Sequence, residues 1–145
     1  MKVFLGGTCN GSKWRDQLIP LLDGVDYFNP VVDVWDDEAA RRELCERAFD
    51  DYILYVITPL AEGAYSIAEV VDDSNKRPEK TIMCILFEDA GVRYSGHQEK
   101  AIRKVGEMVA GNGGRVFADL QQVAAFLNAA ALGVGPGDEP CAYQT

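Results

Sequence analysis

Tyr52-Ile53-Leu54-Tyr55-Val56-Ile57-Thr58-Pro59-Leu60-Ala61-Glu62-Gly63-Ala64-Tyr65-Ser66-Ile67-Ala68-Glu69-Val70-Val71-Asp72 is the stretch that decides the fold. Its first six residues are a continuous apolar run, the pattern of a strand buried on both faces of a sheet. Pro59 has no N–H for the ladder and ends the strand. Gly63 supplies a turn, and a helix over 64–75 follows. Ala64, Ile67, Ala68 and Val71 fall at i, i+3, i+4 and i+7 and read as its buried stripe. Tyr65, Glu69, Asp72 and Asp73 fall off that stripe. A carboxylate is thereby carried just past the C-terminal end of a central strand, where open α/β sheets bind ligands.

Outward from this unit the same alternation repeats. Lys2–Leu5 reads as a strand. Gly6-Gly7-Thr8-Cys9-Asn10-Gly11-Ser12 reads as a turn in which Asn10 or Ser12 caps the next helix. That helix carries Trp14, Leu18, Leu21 and Leu22. Val25–Phe28 is a strand closed by Asn29-Pro30, and Asp36–Phe49 is a helix with an acidic first turn. Thr81–Phe87 is another buried strand, Gln98–Ala110 a helix stopped by Gly111-Asn112-Gly113-Gly114. Arg115–Phe117 is the last strand, and Asp119 caps a helix through Ala131. The reading is α/β: a five-stranded parallel sheet in a flavodoxin-like, Rossmann-like three-layer sandwich, order 2-1-3-4-5. Residues 1–132 form one domain, and 133–145, with Gly135-Pro136-Gly137 and Pro140, an irregular C-terminal tail.

Composition narrows the function. The 145 residues carry a net charge of −9, which argues against a groove for a nucleic-acid polymer. A small nucleoside or nucleotide needs no such field. Cys9, Cys45, Cys84 and Cys141 are far apart and His97 is the single histidine, so neither a metal site nor a disulfide framework is expected. No signal peptide is visible and no apolar run is long enough to span a membrane. Free thiols then fit a cytoplasmic protein.

The glycine-rich turn 6–12 fits neither a dinucleotide fingerprint nor a Walker loop, and no cofactor is expected. It can bring bare backbone close to a ligand; on that reading a bulky side chain at Gly7 raises KM and leaves stability nearly untouched. Glu69 on its own reads either as a solvated helix residue or as a functional carboxylate. Asp72 and Asp73, one turn on, would raise its pKa through a shared negative field, and Tyr65, one turn before, either orients it by a hydrogen bond or packs on the sheet edge. Trp14 or Trp35 would stack on a base. Asp33, Asp36 and Asp37 cluster around Trp35, and Ser12, Ser66 and the adjacent helix N-termini are candidates for a phosphate.

Val3-Phe4-Leu5-Gly6-Gly7-Thr8, Trp14-Arg15, Tyr27-Phe28-Asn29-Pro30-Val31-Val32, Leu54-Tyr55-Val56-Ile57-Thr58-Pro59 and Gly63-Ala64-Tyr65-Ser66-Ile67-Ala68-Glu69-Val70-Val71-Asp72 together resemble the nucleoside 2-deoxyribosyltransferase-like family. The resemblance runs over roughly residues 2–130. It implies a glutamate that attacks the anomeric carbon of a 2′-deoxynucleoside, release of the base, and transfer of the sugar from a covalent intermediate to a second base. Glu69 matches that glutamate, with Tyr65 and Asp72 as catalytic companions. Gly6 and Gly7 match the sugar and base pocket; Thr8, Asn10, Trp14, Asn29, Pro30, Trp35, Gly63 and Ser66 complete the substrate-binding set. Where the family carries an aspartate six residues before the nucleophile, this chain has Gly63, preceded by Glu62. The tail ends Pro140-Cys141-Ala142-Tyr143-Gln144-Thr145, without an obvious counterpart of the asparagine that a neighbouring subunit supplies.

Three functions are compatible with these residues: cleavage or exchange at the N-glycosidic bond of (2′-deoxy)nucleosides, hydrolysis of a nucleotide or nicotinamide nucleotide at that bond, and a non-catalytic nucleotide-binding module. A homo-oligomer is expected, paired through Leu44 and Ala48 or through Ala124, Phe126 and Leu127, with the tail reaching a neighbouring pocket.

Overall fold

Residues 1–9 and 11–133 are described by a computed structural model. In chain order the strands are β1 (Lys2–Gly7), β2 (Asp26–Phe28), β3 (Tyr52–Ile57), β4 (Thr81–Ile85), β5 (Glu88–Asp89), β6 (Val92–Arg93) and β7 (Arg115–Phe117). The helices are α1 (Trp14–Leu18), α2 (Asp37–Phe49), α3 (Tyr65–Lys76), α4 (Gly96–Gly111) and α5 (Leu120–Ala131). Five strands form one parallel sheet in the order β2-β1-β3-β4-β7. The expected spatial order is therefore present. The fifth parallel strand is the seventh in sequence because an antiparallel β5–β6 hairpin interrupts the path from β4 to α4.

Strand periodicity sorts the core into two faces. Val3, Leu5, Leu54, Val56, Ile82 and Cys84 point to one side and pack on α1 and α5 through Trp14, Leu18, Val123 and Leu127. Phe4, Ile53, Tyr55, Ile57, Met83 and Ile85 point to the other and meet Val70 of α3 and Ile102 and Val109 of α4. All these strand residues are essentially inaccessible, and each large apolar side chain contributes about 1.5–3 kcal/mol by its burial. The central strands thus read as unbroken apolar runs, as both faces are covered.

Several local expectations are corrected. The helix after β1 is α-helical only to Leu18 and continues as a 3-10 turn over Ile19–Leu21, with Pro20 inside it. Ser12 does not cap it: the cap position is Lys13, without a side-chain bond, and the Ser12 hydroxyl donates to Asp89 of the hairpin. β4 stops at Ile85. α4 begins at Gly96 behind Ser95, which forms a reciprocal capping box with Gln98; His97 lies exposed in its first turn. Ala124 and Leu127 are buried in their own core, so that face of α5 is not free to pair subunits, whereas Leu44 is 58% exposed.

The most consequential correction concerns α3. Its buried side carries Glu69, Val70, Asp73 and Ser74, while Ala64 and Ala68 are exposed. Of the expected stripe, Ile67 and Val71 do pack against the core, but two carboxylates share the inner face with them and the two alanines turn outward. Burying those carboxylates requires compensating charge, which α2 supplies. That helix has no apolar stripe, and Arg47 is its one buried residue.

Candidate functional site

The loops after β1 and β3 meet at the point where the strand order reverses. Thr8 donates its N–H to the Val56 carbonyl at 2.9 Å, and Thr58 donates its own to Thr8 Oγ1 at 2.9 Å. Trp14 and Arg15 brace this turn from inside. Trp14 Nε1 donates to the Thr8 carbonyl at 2.8 Å; the Arg15 guanidinium donates to the carbonyls of Leu5 and Thr8 at 2.9–3.1 Å. Trp14 is 1% exposed, so its ring is a core element with no face open to a base.

Two concavities flank the N-terminal half of α3. One, of about 170 Å³, lies over the strand ends and is lined by Gly7, Thr8, Cys9, Ile57, Ala61, Glu62, Gly63, Tyr65, Ser66 and Ile67. The other, of about 290 Å³, lies between α2 and α3 and is lined by Leu44, Arg47, Tyr65, Ala68, Glu69, Asp72, Lys76 and Arg77. Tyr65 lines both and is 61% exposed. No hydrogen bond joins its hydroxyl to Glu69; its pKa is raised by partial burial and by the Glu69 charge.

Gly7 walls the first concavity with backbone alone. Its φ is +118°, and a Cβ there would lie 2.1 Å from the Val56 carbonyl oxygen. Substituting it is therefore a fold-breaking change, contrary to the expectation that a bulky residue would spare stability. Gly6 lines neither concavity. A Cβ on it would meet the rings of Phe4 and Tyr55, so its smallness serves packing. Gly63 has open space around it, and Ser66 is half-buried at the start of α3.

Glu69 is the chemical centre of the second concavity. It is 6% exposed, and Arg47 Nη1 lies 2.9 Å from its Oε2. That oxygen is buried and receives no hydrogen bond of good geometry, so the contact is an ion pair rather than an aligned bond. Burial pushes the Glu69 carboxyl up to about 7. Arg47 pulls the other way, and the nearby charge of Glu43 adds to the rise. A neighbouring negative charge disfavours the ionised form of Glu69, in the same direction as burial.

Glu43 is fixed from the far side by Trp35, whose Nε1 donates to Glu43 Oε2 at 3.2 Å. Trp35 is itself 60% exposed. Arg47 is fixed by Asp73: Nε donates to Oδ2 at 3.0 Å, and Tyr55 OH donates to the same oxygen at 2.6 Å. Arg77 engages the other oxygen of Asp73, which is fully buried. Asp73 thus contributes to the field on Glu69, as expected from spacing. Asp72 turns outward instead: its side chain is 47% exposed, 2.8 Å from Lys76 and 4.0 Å from Arg47, and the Lys76 bond lowers its pKa.

Among the remaining expected residues, Asn29 and Pro30 stand in the loop beyond β2, where the Asn29 side chain accepts from Val31 N–H at 3.1 Å, and neither lines a concavity. Asn10 and the tail beyond 133 lie outside the described residues. Among the described residues no group of His, Cys, Asp or Glu is placed to hold a metal, and no helix is long and apolar enough to cross a membrane. Sequence reading missed Glu43, Arg47 and Tyr55. The available signal was α2 itself, a long helix with an arginine and no apolar stripe, which must be held by charge.

Residues 1–86, more than half the chain, match a family model described as "Nucleoside 2-deoxyribosyltransferase like". The matched segment runs from β1 through β4 and includes Glu43, Arg47 and Glu69. No curated protein and no solved structure matches the chain.

Proposed function

We propose, from the premise that this chain belongs to the nucleoside 2-deoxyribosyltransferase-like family, that it cleaves or exchanges the N-glycosidic bond of (2′-deoxy)nucleosides with Glu69 as nucleophile. The observation that carries this reading is a carboxylate, Glu69, buried on α3 in a concavity beyond the central strand and paired with Arg47 of α2. A Glu69 carboxylate oxygen forms a bond to C1′ as the C1′–N bond breaks. The bonding electrons leave with the base, which takes up a proton from solvent. A second base, or water, then attacks C1′, gives up its proton to solvent, and Glu69 is released as the carboxylate. Splitting one displacement in two is the general use of a covalent nucleophile, and a carboxylate serving an oxocarbenium-like transition state is part of the logic of retaining glycosidases.

Tyr65 and Trp35 are the exposed aromatic surfaces available to a base. Gly7, Gly63 and Ser66 offer a small, weakly charged pocket for the sugar. Arg47, Lys76 and Arg77, the cations lining the larger concavity, each lie in an ion pair with a carboxylate, and no cation lines the smaller one. That supports an unphosphorylated nucleoside over a nucleotide.

The test is incubation with 2′-deoxynucleosides, with and without an acceptor base, followed by chromatography. New nucleoside indicates transfer, and free base with free sugar indicates hydrolysis. Neither product, with binding retained, would overturn the enzymatic reading in favour of a binding module.

A further inference from the structure

The family match and the buried Glu69 leave one feature without a role: a buried arginine driven into the site by a helix that has little else to bury. Arg47 is 5% exposed. It spans two carboxylates on adjacent turns of α3, with Nη1 2.9 Å from Glu69 Oε2 and Nε 3.0 Å from Asp73 Oδ2. Asp73 is in turn locked by Tyr55 OH from β3 and by Arg77. A planar guanidinium can bridge two acceptors in fixed directions, which a lysine ammonium cannot. We propose that Arg47, anchored by Asp73 and Tyr55, is a positioning residue that pairs with the Glu69 carboxylate and holds it in place for attack. This rests on the nucleophile assignment above.

The charged and titratable groups around Glu69 make the direction of the effect clear. On α2 they are Glu43 and Arg47; on α3, Tyr65, Asp72 and Asp73; on β3, Tyr55. Glu43 and Asp73 favour the protonated form of Glu69, as does burial, and Arg47 opposes them. Without Arg47, burial and the neighbouring carboxylates would keep Glu69 protonated to higher pH. A protonated Glu69 cannot attack C1′. The C-terminal end of α2 is pinned so that Arg47 stays in register: Lys80 Nζ donates to the carbonyls of Ala48 and Asp50 at 2.8 and 2.9 Å.

The test uses the full chain labelled with carboxyl-¹³C glutamate, the Glu69 resonance being assigned by its loss in Glu69→Gln. No substrate is needed. In Arg47→Gln the Glu69 titration midpoint should rise by roughly one pH unit or more. The acid limb of kcat/KM should rise with it, and activity at pH 7 should fall about tenfold or more, mostly in kcat. Arg47→Lys should shift the midpoint in the same direction by less. An unmoved midpoint in folded Arg47→Gln would overturn the proposal, however much activity is lost. If Arg47→Gln does not fold, Arg47→Lys carries the test: a raised midpoint supports the clamp, and an unmoved one overturns it. If no nucleoside is cleaved by the unaltered protein, the nucleophile assignment fails on that result alone, distinct from the titration.

Discussion

The two concavities beside α3 are built by opposite means. The one over the strand ends is shaped by backbone: a glycine in a left-handed conformation, a Thr58 N–H bonded to the Thr8 hydroxyl, and a tryptophan–arginine brace behind the turn. The one between α2 and α3 is shaped by charge: Glu43, Arg47, Glu69 and Asp73 within a largely buried network. The first is rigid because its geometry admits no alternative. The second is held by ion pairs whose partners can be protonated, so its chemistry depends on pH.

The sharpest way to break this contrast is at Gly7. Gly7→Ala forces a Cβ onto the Val56 backbone at a positive φ; overpacking and strain together should cost about 3 kcal/mol or more, or abolish folding. Gly63→Ala, at the rim of the same concavity, meets nothing within 4 Å and should leave the urea midpoint almost unchanged. Equal midpoints for the two variants would show that the strand-end turn is not the rigid element described.

A smaller effect comes from the far end of α2. Asp50 is buried, and burial followed by its contact with Glu46 pushes its carboxyl up to about 7. The folded state therefore keeps a proton that the unfolded chain releases near 4. Stability should fall as pH rises through the window from about 4 to 7, by at most about 1.4 kcal/mol per pH unit for each such group. Glu69, also raised to about 7, acts with the same sign. In thermal melts between pH 5 and 8, Asp50→Asn should remove part of this decline and Glu69→Gln another part. A pH-independent Tm in the unaltered protein would contradict both.

The difference between the two regions also explains what the sequence made legible. Strands such as Tyr52–Ile57 are uniform in chemistry, so an apolar run bounded by Pro59 fixes element, direction and layer. Asp119 announced its helix as a cap and accepts the expected backbone N–H, whereas Asp36, read as the first helical residue, is itself the cap of α2. The position of Glu69 was legible too, through its place after the central strand. Its surroundings were not. Ala64 and Ala68 have helical spacing but face outward, since Arg47, far away in sequence, makes the inner face habitable for Glu69 and Asp73. A pairing between charges on different helices has no local signature. The β5–β6 hairpin escaped for another reason: two-residue strands are too short for any periodicity to register.

Everything in the account converges on the carboxylate of Glu69, and a 2-fluoro-2-deoxy nucleoside analogue with a good leaving base tests it most directly. The fluorine slows release of the intermediate more than its formation. Intact-mass spectrometry should then show one added fluorosugar, and peptide mapping should place it on Glu69, with no adduct in Glu69→Gln and no base released. An adduct mapped to another residue, or undiminished nucleoside cleavage by Glu69→Gln, would contradict the mechanism.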